Sequence, residues 1–193
     1  MKITGIKTYW LKVPYDKPFE PTWYPGKRET HQHILLVRVM TDEGIEGYGS
    51  GEFPFGLTPT YMTFIQDMIA PWLIGQDPLM IEKLATRLKG DGRLAPRPWI
   101  VENALWDILG KKAGLPAYKV MGGYRDHIPA YAAMCELRSD EERQEDALRL
   151  FDEGFRAVKL RLFMPTIKED IHIVENIRKA VGDKMTIICD ANQ

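Results

Sequence analysis

Cysteine is scarce in this chain. It has two, Cys135 and Cys189, far apart and in no CxxC pairing. That argues against a disulfide-built scaffold or a thiolate metal knot, and a reduced, cytoplasmic protein is expected. An excess of charge of one sign is also missing. The net charge is −1, so the composition calls for no nucleic acid and no acidic membrane surface as a partner. No hydrophobic run is long enough to span a bilayer, and the opening MKITGIKTYWLKV is too broken by polar residues to read as a signal peptide. What remains is an ordinary globular composition: 193 residues, 45% hydrophobic and 27% charged, enough for one large domain or two modest ones.

The first third reads as a β-meander. GIKTYWLKV alternates toward its end, HQHILLVRVM is rich in β-formers, TDEG at 41–44 is a turn, and IEGYG begins a return strand. Residues 14–29 and SGEFPFGLTP, from residue 50, lack periodicity and read as loops. Both carry aromatics, Trp23 and Tyr24 in one, Phe53 and Phe55 in the other. Such residues either pack a loop down or make it a recognition loop.

Helices follow. Thr58-Pro59 and Asp77-Pro78 each look like an N-cap followed by proline at the first helical position. In IVENALWDILGKKAGLP, residues Val101, Leu105 and Ile108 form an apolar face widened by Ala104 and Leu109, and Gly114 and Pro116 end the helix. From about residue 128 the rhythm changes to strand, helix, strand, helix, strand. Ser139 with Glu142, and Thr166 with Glu169, are capping boxes, and Gly154 and Gly182 close the two helices. Repeated βα units predict a parallel sheet. The stretch after residue 127 is far shorter than the roughly 200 residues or more of a (β/α) barrel, so it reads as the opening of a barrel that continues beyond residue 193.

The chemistry gathers at strand ends. In AVKLRL, residues Val158, Leu160 and Leu162 share one face, which sends Lys159 and Arg161 to the other. On the next strand Asp190 stands at the C-terminal end, where barrel active sites lie. Two cations and one carboxylate read either as a structural ion pair or as an excess-positive site for an anionic substrate.

Several segments together, VENALWDILGKKAGLPAYKVMGG (101–123), AYAA (130–133), AVKLRL, DANQ and the earlier GIEGYGSGE, resemble the mandelate racemase and muconate lactonizing subgroup of the enolase superfamily. The resemblance covers the whole chain. It implies an α+β capping domain, residues 1–127, followed by the first part of a (β/α) TIM-type barrel, residues 128–193. It also implies removal of the proton α to a substrate carboxylate, with Mg²⁺ held by three carboxylates. Asp190 matches the first metal ligand and Asn192 the polar residue beside it. The other ligands and any opposing base are expected beyond residue 193. Where the family has Lys-x-Lys, this chain has Lys159-Leu160-Arg161. Arginine is a poor general base, so a two-base racemase is disfavoured. Arg161 is expected to orient a carboxylate or to lower the pKa of Lys159 by like-charge repulsion.

The resulting expectation is a lyase that dehydrates an acid sugar, with a racemase, epimerase or cycloisomerase of the same superfamily as the alternative. A reading of another class is an inactive fragment or half of a split protein. Lys159 and Arg161 are the expected catalytic residues and Asp190 the metal ligand. Asn192, Trp23, Tyr24, Phe53 and Phe55 are the expected substrate contacts. The partner is a small carboxylate, without nucleic acid or membrane, and a homo-oligomer is implied for the full-length protein. His31 and His33 share a strand face and could mimic a metal pair or be ordinary sheet residues. Glu52 reads as a substrate contact or a loop brace. His127 and His172 show no evident partners in the sequence.

Overall fold

A computed structural model describes residues 1–53, 56–93 and 98–191. The expectations placed on Phe55 and Asn192 lie outside these described residues. The chain forms two compact units, residues 1–14 with 31–126, and residues 15–30 with 127–193. Sequence reading placed residues 15–30 in the first domain.

The meander is present as β1 (Ile3–Phe19), β2 (Glu29–Thr41) and β3 (Glu46–Glu52), in the order β1-β2-β3. β2 and β3 pair antiparallel, from Ile34 opposite Glu52 to Met40 opposite Glu46. The turn between them closes with Gly44 at φ 78°, a left-handed conformation that glycine adopts without a Cβ clash. β1 runs further than expected. Pro14 to Phe19, anticipated as loop, continues the strand. Pro14 and Pro18 cannot donate to a ladder, but an edge strand tolerates that.

Helices follow in the first unit: α1 (Thr58–Phe64), continued by a wider turn Ile65–Ile69 into α2 (Ala70–Leu73), then α3 (Ile81–Asp91), α4 (Trp99–Ala113) and α5 (Ala117–Val120). Two expected caps are displaced. Leu57 occupies the cap of α1, and Thr58 is its first helical residue. Pro59 still fits, because the first-turn N–H groups have no intrahelical partner. Asp77 caps a turn instead of a helix: its Oδ1 accepts from the Leu79 N–H at 3.0 Å, and its carbonyl accepts from the Met80 N–H.

α4 is the keystone of this unit. Ile100, Val101, Ala104, Leu105 and Ile108 are all buried, and Leu35, Val37 and Val39 of β2 are buried with them. Each valine, leucine or isoleucine among them contributes roughly 1.5–3 kcal/mol by leaving water. The helix ends at Gly114 in the left-handed conformation, as expected. Its close seating depends on Gly47, Gly49 and Gly51, which alternate along one face of β3. A methyl on Gly49 would lie 1.9 Å from the Ile100 carbonyl oxygen, and one on Gly47 would lie 2.0 Å from that of Ala104.

The second unit has β4 (Ala132–Met134), α6 (Asp140–Asp152), β5 (Ala157–Arg161), α7 (Ile167–Val181) and β6 (Thr186–Asp190). The three strands are parallel, in the order β4-β5-β6. Both capping boxes are formed, with Ser139 and Thr166 accepting from the N–H groups of Glu142 and Glu169. Val158 and Leu160 are fully buried against Ala147, Ile173, Ile177 and Val181. Leu162, expected to extend that apolar row, lies past the end of β5, where its N–H donates to the Asp190 carbonyl.

Candidate functional site

The pattern of β5 fixes the site. With Val158 and Leu160 committed to the helices, the pleat turns Lys159 and Arg161 to the other face. Register does the rest. Arg161 pairs with Asp190 across β5 and β6, so the two side chains emerge side by side at the strand ends. The Arg161 Nη2 donates to Asp190 Oδ2 at 2.9 Å, and the Lys159 Nζ lies 3.2 Å from the same oxygen. All three side chains are partly withdrawn from water, at 20% exposure for Lys159 and Arg161 and 27% for Asp190.

Of the two roles expected for Arg161, orienting a carboxylate or lowering the Lys159 pKa by like-charge repulsion, the second does not dominate here. In the structure the Lys159 bond to Asp190 holds the ammonium above the ordinary lysine value, with the neighbouring Tyr131 adding to the same direction. The Lys159 Nζ sits 5.4 Å from the centre of the Tyr131 ring. Tyr131 was not singled out in the sequence. Its signal was the period of two: Ala133 stands opposite Lys159, so Tyr131 and Ala133 share the face of the cations.

The remaining candidates divide. Trp23 joins the site, with the Arg161 guanidinium 4.8 Å from its ring centre. For Tyr24, the N–H donates to the Pro21 carbonyl, and Lys27 lies 5.6 Å over the ring. Phe53 was expected as an exposed loop aromatic and is instead a core residue of the first unit, 6% exposed, with Tyr61 at 3.9 Å and Trp99 at 6.5 Å between ring centres. Burial of a large ring outweighs the loop character of its neighbours. Glu52 accepts from Gln32 Nε2 at 3.2 Å, which is the bracing arrangement. His33 accepts from the Trp10 indole at 3.0 Å, as a sheet residue does. His172 has the partner that sequence reading did not see, Asn176 at 3.0 Å, with Asp140 at 3.8 Å.

Among the described residues, no group of three His, Cys, Asp or Glu side chains comes together as a metal cage, and no helix is long and apolar enough to cross a membrane. The site consists of two cations around one carboxylate, with aromatic rings beside each cation. Its net positive charge suits an anion.

Comparison with known proteins gives the same outline. Residues 12–122 match the mandelate racemase/muconate lactonizing enzyme N-terminal domain, and residues 142–193 match the enolase C-terminal domain-like family. N-succinyl-L-Arg/Lys racemase of Bacillus cereus is 30% identical over 100% of this chain and 53% of its own length. D-galactarolactone cycloisomerase of Agrobacterium fabrum is 31% identical over 100% of this chain and 52% of its own. The crystal structure of L-talarate dehydratase from Polaromonas sp. JS666, complexed with Mg and L-glucarate, superposes with a TM-score of 0.85 at 28% identity, over 100% of this chain and 54% of that one. The chain spans about half the length of the curated relatives it matches.

Proposed function

The chain belongs to the mandelate racemase/muconate lactonizing enzyme family of the enolase superfamily, and from that premise we propose that it serves removal of the proton α to a substrate carboxylate, in the dehydration of an acid sugar. The observation that carries this reading is Arg161, in the place of the family's second lysine and bonded to Asp190 at 2.9 Å. A guanidinium does not take a proton at neutral pH. Lys159, held above its ordinary pKa by Asp190, is a cation as well. This face of the site thus offers positive charge and no base. One-sided chemistry follows: the α-proton leaves toward a base elsewhere, and its electron pair expels the β-hydroxyl, which departs as water with a proton. Racemisation needs a base on each face.

Lys159 and Arg161 meet the negative charge that develops on the substrate carboxylate, where preorganised cations act most strongly. Asp190 fits a magnesium ion as one oxygen ligand. Mg²⁺ favours six oxygens, so further ligands must join it from outside the described residues. When bound, Mg²⁺ supplies Lewis-acid stabilisation of the substrate's carboxylate oxygens.

The test is a panel of acid sugars, offered in D₂O with Mg²⁺ to the protein as its gene encodes it and followed by NMR. The expected result is a 2-keto-3-deoxy acid without exchange of the two α-epimers. Epimerisation without loss of water would assign the racemase chemistry of the Bacillus cereus relative instead.

A further inference from the structure

Residues 15–30 belong to the second unit, and their attachment there is specific. The Thr22 N–H donates to the Cys135 carbonyl at 3.0 Å, the Leu137 N–H donates to the Glu20 carbonyl at 2.9 Å, and Pro21 bridges Glu136. The segment is thereby stitched, antiparallel, to the chain that leaves β4. Thr22 is 2% exposed, so the seam is buried at its centre. The Glu20 carboxylate ties the following turn, accepting from the Gly26 N–H at 2.9 Å and from Arg28 Nε at 3.2 Å. Three tilted rings follow one another along the segment. Tyr15 and Phe19 lie 5.8 Å apart and Phe19 and Trp23 6.0 Å apart, and the ladder ends on the Arg161 guanidinium at 4.8 Å.

We propose that Trp23 is a positioning residue, whose indole, fixed by the seam and the ring ladder, holds the Arg161 guanidinium against Asp190. The geometry explains why a support is needed. Arg161 is anchored to Asp190 through Nη2, and its Nε is buried with no hydrogen-bond partner. A long side chain with a single anchor keeps several rotamers, each placing the fork differently. An indole face against the guanidinium removes those rotamers and attracts the cation through its quadrupole, without using any of its donors. The unspent donors stay available for a planar carboxylate, which a guanidinium recognises in bidentate fashion. Trp23 thus sets the orientation of a cation that touches substrate. The catalytic part of this inference rests on the proposed function; the structural part does not.

The experiment separates the two. With ¹⁵N-labelled arginine, the Arg161 Nε–H resonance is identified by its loss in Arg161→Lys. It is expected to show an aromatic ring-current shift and slowed solvent exchange. In Trp23→Leu, with the far-UV circular dichroism unchanged, the shift should collapse and exchange should accelerate. Trp23→Phe should keep a smaller shift. An Arg161 resonance unchanged in Trp23→Leu, or in Trp23→Phe should the leucine variant not fold, would overturn the proposal whatever the reaction proves to be. With an acid-sugar substrate in hand, Trp23→Leu should lower kcat by about five-fold, the worth of one such cation–ring contact, at nearly constant KM. A raised KM at constant kcat would mean that Trp23 binds substrate directly, and would overturn it too.

Discussion

Arg161 and Asp190 stand opposite each other in the β5–β6 register, and their side chains close that pairing with a 2.9 Å charge-assisted bond. Lys159, two residues earlier on the same face, shares the same carboxylate oxygen. One acid therefore bridges two cations that would otherwise repel each other at the strand ends, and the cluster keeps a net positive charge.

Replacing that acid tests the arrangement. Asp190→Asn should lower stability by about 1–3 kcal/mol, because two half-buried cations lose their shared partner. The Lys159 pKa, raised by this carboxylate, should fall toward the ordinary lysine value. Urea unfolding reads the first and an NMR titration of the lysine side chain reads the second. If Asp190 is a magnesium ligand, calorimetry on the gene-encoded protein should show Mg²⁺ affinity lost in the same variant.

Glycines make a sharper contrast. Gly49→Ala drives a methyl to 1.9 Å from a backbone oxygen of α4, and should cost about 3 kcal/mol or more or prevent folding. Gly90→Ala adds its methyl within α3 where nothing lies within 4 Å, and should stabilise by about 0.5–1 kcal/mol. Thermal melts of the two variants should move in opposite directions.

Acid should loosen the segment that carries Trp23. The Gly26 N–H, then Arg28, hold the Glu20 carboxyl below its ordinary pKa. A depressed carboxylate stabilises the folded form above its unfolded pKa, and the contribution disappears as pH falls through the lower folded value. The Gly26 amide should therefore stay shifted through the neutral range and titrate only below the ordinary glutamate range. In Glu20→Gln the amide should lose that shift at neutral pH, as followed by ¹⁵N NMR.

The cap of α7 gives a purely local effect. Thr166→Ala removes the acceptor for the Glu169 N–H and should destabilise by about 1 kcal/mol, while Thr166→Ser should retain most of the cap. Chemical denaturation resolves the difference.

Local chemistry was legible in the sequence; long-range seating was not. The two capping boxes, the end of α4 at Gly114 and the opposed faces of β5 follow from neighbouring residues alone, so periodicity and spacing reveal them. The convergence of Lys159, Arg161 and Asp190 was legible because one βα unit separates the strands and register is set by burial of Val158 and Leu160. Phe53 was misread because its burial depends on tertiary packing, against Tyr61 of the following helix and against Trp99, which is remote in sequence. Asp77 was misread because an N-cap and an Asx turn begin with the same residues. Gly47, Gly49 and Gly51 looked like a family motif, and the helix carbonyls that demand the first two and the Trp99 ring that demands the third became visible only in three dimensions.

The seam between Thr22 and Cys135 also bears on how the molecule is made. A ribosome delivers the chain from its N-terminus, so residues 15–30 emerge early, while the strand that receives them follows only after all of α1 to α5. Until then Tyr15, Phe19 and Trp23 lack the contacts that order them in the second unit. The first unit can begin to condense meanwhile around α4, whose partners β2 and β3 precede it. Nascent chains stalled before Cys135 should therefore present a protease-sensitive, chaperone-attracting segment near Trp23, and chains stalled beyond β6 should not.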